Sequence, residues 1–131
     1  MVTNIPDNKN ITLKSSSNTE FSNIFSTDDQ TIIIISGGGE LKLDGIIVTH
    51  VDDARGGGVY VSRGSTLRLS NGKISGNNGG VSIGGGVFVM SGGKIFNNTP
   101  KYSNGGGVYS NGHFVMSGGE ISGNSAVEVV V

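Results

Sequence analysis

The sequence predicts an all-β chain, a parallel β-helix (solenoid) of roughly four to five coils, and three observations predict it. Four segments repeat at long intervals, they keep apolar residues at alternate positions, and glycines fall at fixed offsets from those positions. The segments are Leu41-Lys42-Leu43-Asp44, Leu67-Arg68-Leu69-Ser70, Phe88-Val89-Met90-Ser91 and Phe114-Val115-Met116-Ser117. Their first residues are 26, 21 and 26 positions apart. In the last three the match continues into Asn71-Gly72-Lys73-Ile74, Gly92-Gly93-Lys94-Ile95 and Gly118-Gly119-Glu120-Ile121, and each closes on an asparagine, Asn77, Asn98 or Asn124.

The chain reads as one domain, with residues 1–36 an irregular N-terminal coil and cap and 37–131 the glycine-rich coils. In the first part Asn10-Ile11-Thr12-Leu13-Lys14 and residues 31–35 read as strands, joined by the Ser/Asn/Asp-rich stretch 15–30. In the second, one unit cannot bury its own apolar face, so copies must stack about 4.8 Å apart. Stacking predicts one interior row of Leu41, Leu67, Phe88 and Phe114, a second of Leu43, Leu69, Met90 and Met116, and a third of Ile74, Ile95 and Ile121. Asn77, Asn98 and Asn124 then form an amide ladder. Asn71, Gly92 and Gly118 tolerate left-handed backbone angles, so their exchange predicts a bend with positive φ there. Glycine triplets before valine, at residues 56–59, 84–87 and 105–108, read as equivalent turns. On that alignment the length differences fall on one edge, with variable loops at 60–66 and 109–113, which together with 99–104 make the expected working surface. The final residues, 127–131, start another strand.

A rival exists in the β-hairpin. Residues 67–74 suit two antiparallel strands around an Asn-Gly turn. A hairpin fold accounts for one repeat but not for the return of the same residues in the same register.

Composition narrows the function classes. With 24 glycines, two prolines and 34% hydrophobic residues, long helices are disfavoured. A net charge of −1 gives no general attraction for nucleic acid. The absence of cysteine excludes disulfides and thiolate metal sites. The longest apolar runs are too short for a membrane span, and the first residues have neither the basic nor the apolar stretch of a signal peptide. The expectation is a fragment of a longer exported protein.

The elements Gly57-Gly58-Val59 and Ile74-Ser75-Gly76-Asn77 resemble the repeats of chlamydial polymorphic outer-membrane proteins, and also those of bacterial β-helix surface proteins and autotransporter passengers. That pattern pairs Gly-Gly-(Ala/Leu/Val/Ile) with Phe-x-x-Asn. Here the first element matches at Gly57, Gly85 and Gly106, and isoleucine replaces phenylalanine in the second. The resemblance implies a right-handed, pectin-lyase-like β-helix at a cell surface or outside the cell, with adhesion as its usual role.

The leading expectation is therefore a non-enzymatic structural or adhesive segment with no cofactor and no metal site. Its partner would be a host or cell-surface protein or a glycan. Tyr60, Tyr102 and Tyr109 are the expected contact residues, since tyrosine offers a large, rigid amphipathic face. The alternative is a carbohydrate-active β-helix, a polysaccharide lyase or glycoside hydrolase, centred on Asp52, Asp53 and Arg55 near His50; a solvated inter-coil loop explains the same residues. His50 and His113 occupy non-equivalent offsets, which argues against a shared metal. Lys73 and Lys94, and likewise Lys42 and Arg68, would stack into short basic stripes that suit an acidic glycan or plain solubility. A self-assembling fibre unit, joined end to end through 127–131, is a third possibility.

Overall fold

The computed structural model describes residues 2–17, 19–52, 54–100 and 105–125. Among them there is no helix, and all the named strand pairs are parallel, stacked as a β-solenoid of about four turns. The elements are β1 (Thr3–Ile5), β2 (Asn10–Lys14), β3 (Ser22–Ser26), β4 (Ile33–Ile35), β5 (Glu40–His50), β6 (Val59–Ser62), β7 (Thr66–Ser75), β8 (Val81–Gly84), β9 (Val87–Met90), β10 (Lys94–Phe96), β11 (Val108–Ser110), β12 (His113–Met116) and β13 (Glu120–Ser122).

One sheet stacks β1, β4, β6, β8 and β11. The other is bent into two faces. Strands β2, β5, β7, β9 and β12 make the first face, and β3, β5, β7, β10 and β13 make the second, with long β5 and β7 crossing the bend. The hairpin alternative is thereby excluded: Leu67 and Leu69 pair in parallel with Phe88 and Met90, one coil on.

Alternation along each strand puts every second side chain into the interior. Ile11, Leu41, Leu67, Phe88 and Phe114 form one row, and Leu13, Leu43, Leu69 and Met90 the next; Met116, expected to continue that row, is in register with Met90 but 44% exposed. Ile24, Val48, Ile74, Ile95 and Ile121 form the third. The rings of Phe88 and Phe114 stack at 5.0 Å and 15°. The first sheet adds a row of Ile33, Val59, Val81 and Val108, and another of Ile5, Ile35, Val61 and Ile83. Most of these side chains are fully buried.

Three readings of the sequence need correction. The positive φ at the bend belongs to Gly72, Gly93 and Gly119, one residue later than expected, with Gly45 in the same role in β5. Asn71 does not turn the chain; it continues β7 through a local register shift opposite Asp44. The glycine triplets are not all equivalent. Val59, Val81 and Val108 are register partners, so Gly57-Gly58 and Gly106-Gly107 align with Gly79-Gly80, while Gly84 pairs with Ser62 at a different corner. The stretch 15–30 also contains β3, which pairs with β5 from Ile46 to His50.

With that alignment the length variation moves. Val59, Val81 and Val108 precede the residues of the first interior row by similar distances. The chain lengthens instead after the third row, between His50 and Gly57 and between Asn98 and Gly106, whereas Asn77 leads almost at once into Val81. The strand expected at 127–131 lies outside the described residues.

The bend glycines separate two costs of a side chain. At Gly72 (φ 116°) an added Cβ would strike the backbone of Ile46, 2.8 Å from its nitrogen. Gly64 (φ 80°) has open space around it. Gly64→Ala is expected to lose only the left-handed backbone penalty, about 1–2 kcal/mol, and Gly72→Ala distinctly more; urea unfolding of both variants measures the difference.

Candidate binding face

Tyr60 follows Val59 and precedes Val61, both interior, so the pleat turns its ring outward. Tyr109 occupies the matching position in β11, and Ser82 in β8 lies between them: Tyr60 pairs with Ser82, and Ser82 with Tyr109. The two tyrosines, read from the sequence as loop residues, are therefore strand residues on one face, two strand steps or about 9.6 Å apart. Tyr60 is 38% and Tyr109 42% exposed, and both line one shallow cleft with Ser82, Thr31 and Asn78. Its volume of about 230 Å³ falls below the roughly 300–1,000 Å³ of pockets that engulf a small molecule. Such a cleft suits part of an extended ligand.

Glycines seat both rings. A Cβ at Gly84 would lie 2.8 Å from Cζ of Tyr60 and 3.2 Å from its Cε2, so the ring rests over that bare backbone. A Cβ at Gly105 would come 2.6 Å from Cβ of Tyr109 and 3.0 Å from its Cδ2. Rings held this way lose little freedom on binding. Ser82 and Gly84 were not singled out from the sequence, although Val81-Ser82-Ile83 repeats the alternation of Val59-Tyr60-Val61. Tyr102 lies outside the described residues.

The other polar candidates fall elsewhere. Asp52 and Arg55 sit exposed on loop 51–56, where the Arg55 backbone N–H donates to Asp29 Oδ1 at 2.8 Å. Asp53 lies outside the described residues. Lys73 and Lys94 are register neighbours, as are Lys42 and Arg68. Arg68 pairs with Glu40 of the preceding coil, and Lys73 Nζ stands 5.9 Å from the centre of the Phe21 ring. Among the described residues, no three His, Asp or Glu side chains are grouped to hold a metal ion.

His50 belongs to the interior. The amide ladder runs as expected: Asn77 Nδ2 donates to Asn98 Oδ1 at 3.2 Å, and Asn98 Nδ2 to Asn124 Oδ1 at 2.9 Å. Each amide also donates to a backbone carbonyl of the previous coil, at Val48, Ile74 or Ile95. His50, only 6% exposed, is the next rung. Its Nδ1 stands 2.8 Å from Asn77 Oδ1, which the Val48 bond leaves facing it, and its Nε2 stands 2.8 Å from the Gln30 carbonyl. With its N–H on Nδ1, the ring donates to Asn77 Oδ1 and completes the ladder.

Comparison with protein-family models, curated proteins and solved structures finds no match for the chain.

If His50 serves as a rung, His50→Ala leaves Asn77 Oδ1 without its donor. The expected loss is about 1–3 kcal/mol. His50→Asn supplies an amide donor at the same position and recovers most of it, measured by chemical denaturation of the two variants side by side.

Proposed function

We propose that the protein is a non-enzymatic structural and adhesive segment of a bacterial cell-surface or secreted repeat protein. Its contact surface is the outer face of the sheet of β6, β8 and β11, in place of the loop edge expected from the sequence. The observation that carries this reading is the common column of Tyr60, Ser82 and Tyr109. Two large exposed side chains, far apart in the chain, meet on a rigid stacked sheet whose interior rows are independently satisfied. Tyrosines so placed provide contact area at low entropic cost.

The Gly-Gly-Val and Ile-x-x-Asn elements support the resemblance to chlamydial polymorphic outer-membrane and autotransporter-passenger repeats, and with it a surface location. The structure gives these two elements a physical partnership. Gly58, Gly80 and Gly107 open coils that end on Asn77, Asn98 and Asn124, and each glycine faces the amide of its own coil. This arrangement allows coils to be added along one axis, as an elongated surface protein requires.

The test is retention of fluorescently labelled protein on cultured epithelial cells and on immobilised extracellular matrix. The Tyr60→Ala/Tyr109→Ala double variant should lose retention at least about tenfold, the scale of losing two interface anchors, while its circular dichroism stays β-rich. Retention that survives both substitutions, or a parent protein that is retained on neither surface, overturns the proposal.

A further inference from the structure

We infer that the face carrying Tyr60 and Tyr109 binds an uncharged polysaccharide chain lying along the solenoid axis, one sugar ring to each coil. This rests on the adhesive reading above and names its ligand class. Three observations lead to it.

The first is charge. Among the described residues the cleft between the tyrosines is lined by aromatic, hydroxyl, amide and valine side chains and by glycine backbone, with no charged residue. An acidic glycan, a nucleic acid or a charged peptide would lose hydration there without gaining a counter-charge. The basic pairs Lys73–Lys94 and Lys42–Arg68 belong to the other, bent sheet. A neutral ligand bearing hydroxyls on its rim and C–H groups on its faces matches this lining: ring faces cover the tyrosines, and rim hydroxyls reach the Ser82, Thr31 and Asn78 side chains.

The second is spacing. Tyr60, Ser82 and Tyr109 are successive rungs, so the two tyrosines leave the backbone about 9.6 Å apart with one polar rung between them. An extended peptide returns a side chain to the same side every two residues, about 6.8 Å, and falls out of step. A chain of linked pyranose rings advances by nearly one rung per sugar. A stretch of three sugars therefore spans the interval between the Tyr60 and Tyr109 strands, with the Ser82 strand between them.

The third is preorganisation. Gly84 lies under the Tyr60 ring with no left-handed backbone angle of its own, so its lack of a side chain answers to the ring above it. Gly84 is thus a positioning residue, and the platform exists before a ligand arrives.

The experiment titrates the whole chain with neutral β-1,4-linked glucose and N-acetylglucosamine oligomers of one to six residues. A galacturonate trimer is the charged control. Intrinsic tyrosine fluorescence reports binding, because the chain has three tyrosines and no tryptophan. Affinity in one neutral series should rise up to three residues and then level, with the charged trimer at least about tenfold weaker. Tyr60→Ala and Tyr109→Ala should each weaken the neutral trimer about three- to tenfold; for each, binding is followed through the remaining tyrosines. Gly84→Ala should match Tyr60→Ala in binding while keeping the parent melting curve, because the atoms nearest the added Cβ are at the movable end of the tyrosine. The inference is overturned if neither neutral series saturates at millimolar concentration, if affinity ignores chain length, if the charged trimer binds equally well, or if the alanine variants bind like the parent. Should the double tyrosine variant lose cell retention while no neutral oligomer binds, the adhesive face stands and the polysaccharide falls. Loss of neither effect removes both.

Discussion

The stack of coils depends on a buried amide that a glycine makes room for. In three successive coils the side chains of Asn77, Asn98 and Asn124 turn into the interior at the same corner. There an added Cβ at Gly58, Gly80 or Gly107 would come within about 3 Å of the amide nitrogen and of the isoleucine three residues before it. The coil's first glycine and last asparagine therefore touch. A buried amide is tolerated only when its hydrogen bonds are made, and here they reach the coils on both sides: the amide nitrogen donates to a carbonyl of the previous coil and to the asparagine oxygen of the next, while its own oxygen accepts from the side chain and backbone of the preceding asparagine. Apolar rows tolerate a small slip, but this ladder does not. It fixes register in a structure whose rows exchange leucine, phenylalanine and methionine freely.

The coil that ends on His50 shows the same constraint by exception. At the position of the glycines it carries Ile32, fully buried, so glycine and asparagine are replaced together. The histidine keeps the bond to the ladder through Nδ1 and turns its other nitrogen to Gln30. Ser26, its register partner in the coil before, is also buried, and its hydroxyl turns to Asp28 within its own coil. The ladder thus closes at one end by changing residue type, without leaving an unpaired amide in the interior.

Much of this was legible in the sequence, and the limits are physical. The three interior rows, the asparagine ladder and the parallel stacking follow from period-two alternation recurring in register, because a strand buried on one face cannot slip by one residue. The rows of the other sheet were missed. Val81-Ser82-Ile83 is only three residues long, and the more conspicuous Gly84-Gly85-Gly86 beside it draws the alignment to the wrong corner. Glycine is ambiguous in this way because it answers to several demands. Gly80 makes room for an amide, Gly93 supplies a positive φ, and Gly84 lies under a tyrosine ring. Identical letters then stand for different causes, and only the register separates them. Placing Tyr60 and Tyr109 on loops came from the same misalignment, while their pairing across Ser82 needed a coil length that the sequence did not state on its face.

Because the inward positions carry the packing and the ladder carries the register, the outward positions of β6, β8 and β11 are released from both. Their side chains can vary without cost to the stack, yet their spacing cannot: the strand step sets it. A solenoid is in this sense a ruler whose marks are chosen by sequence and whose interval is set by the backbone hydrogen bond. Two tyrosines and a serine on successive marks thus acquire a common repeat from the fold itself. A partner recognised here must share that interval or bridge it, which makes periodicity, as much as chemistry, the property by which such a face selects.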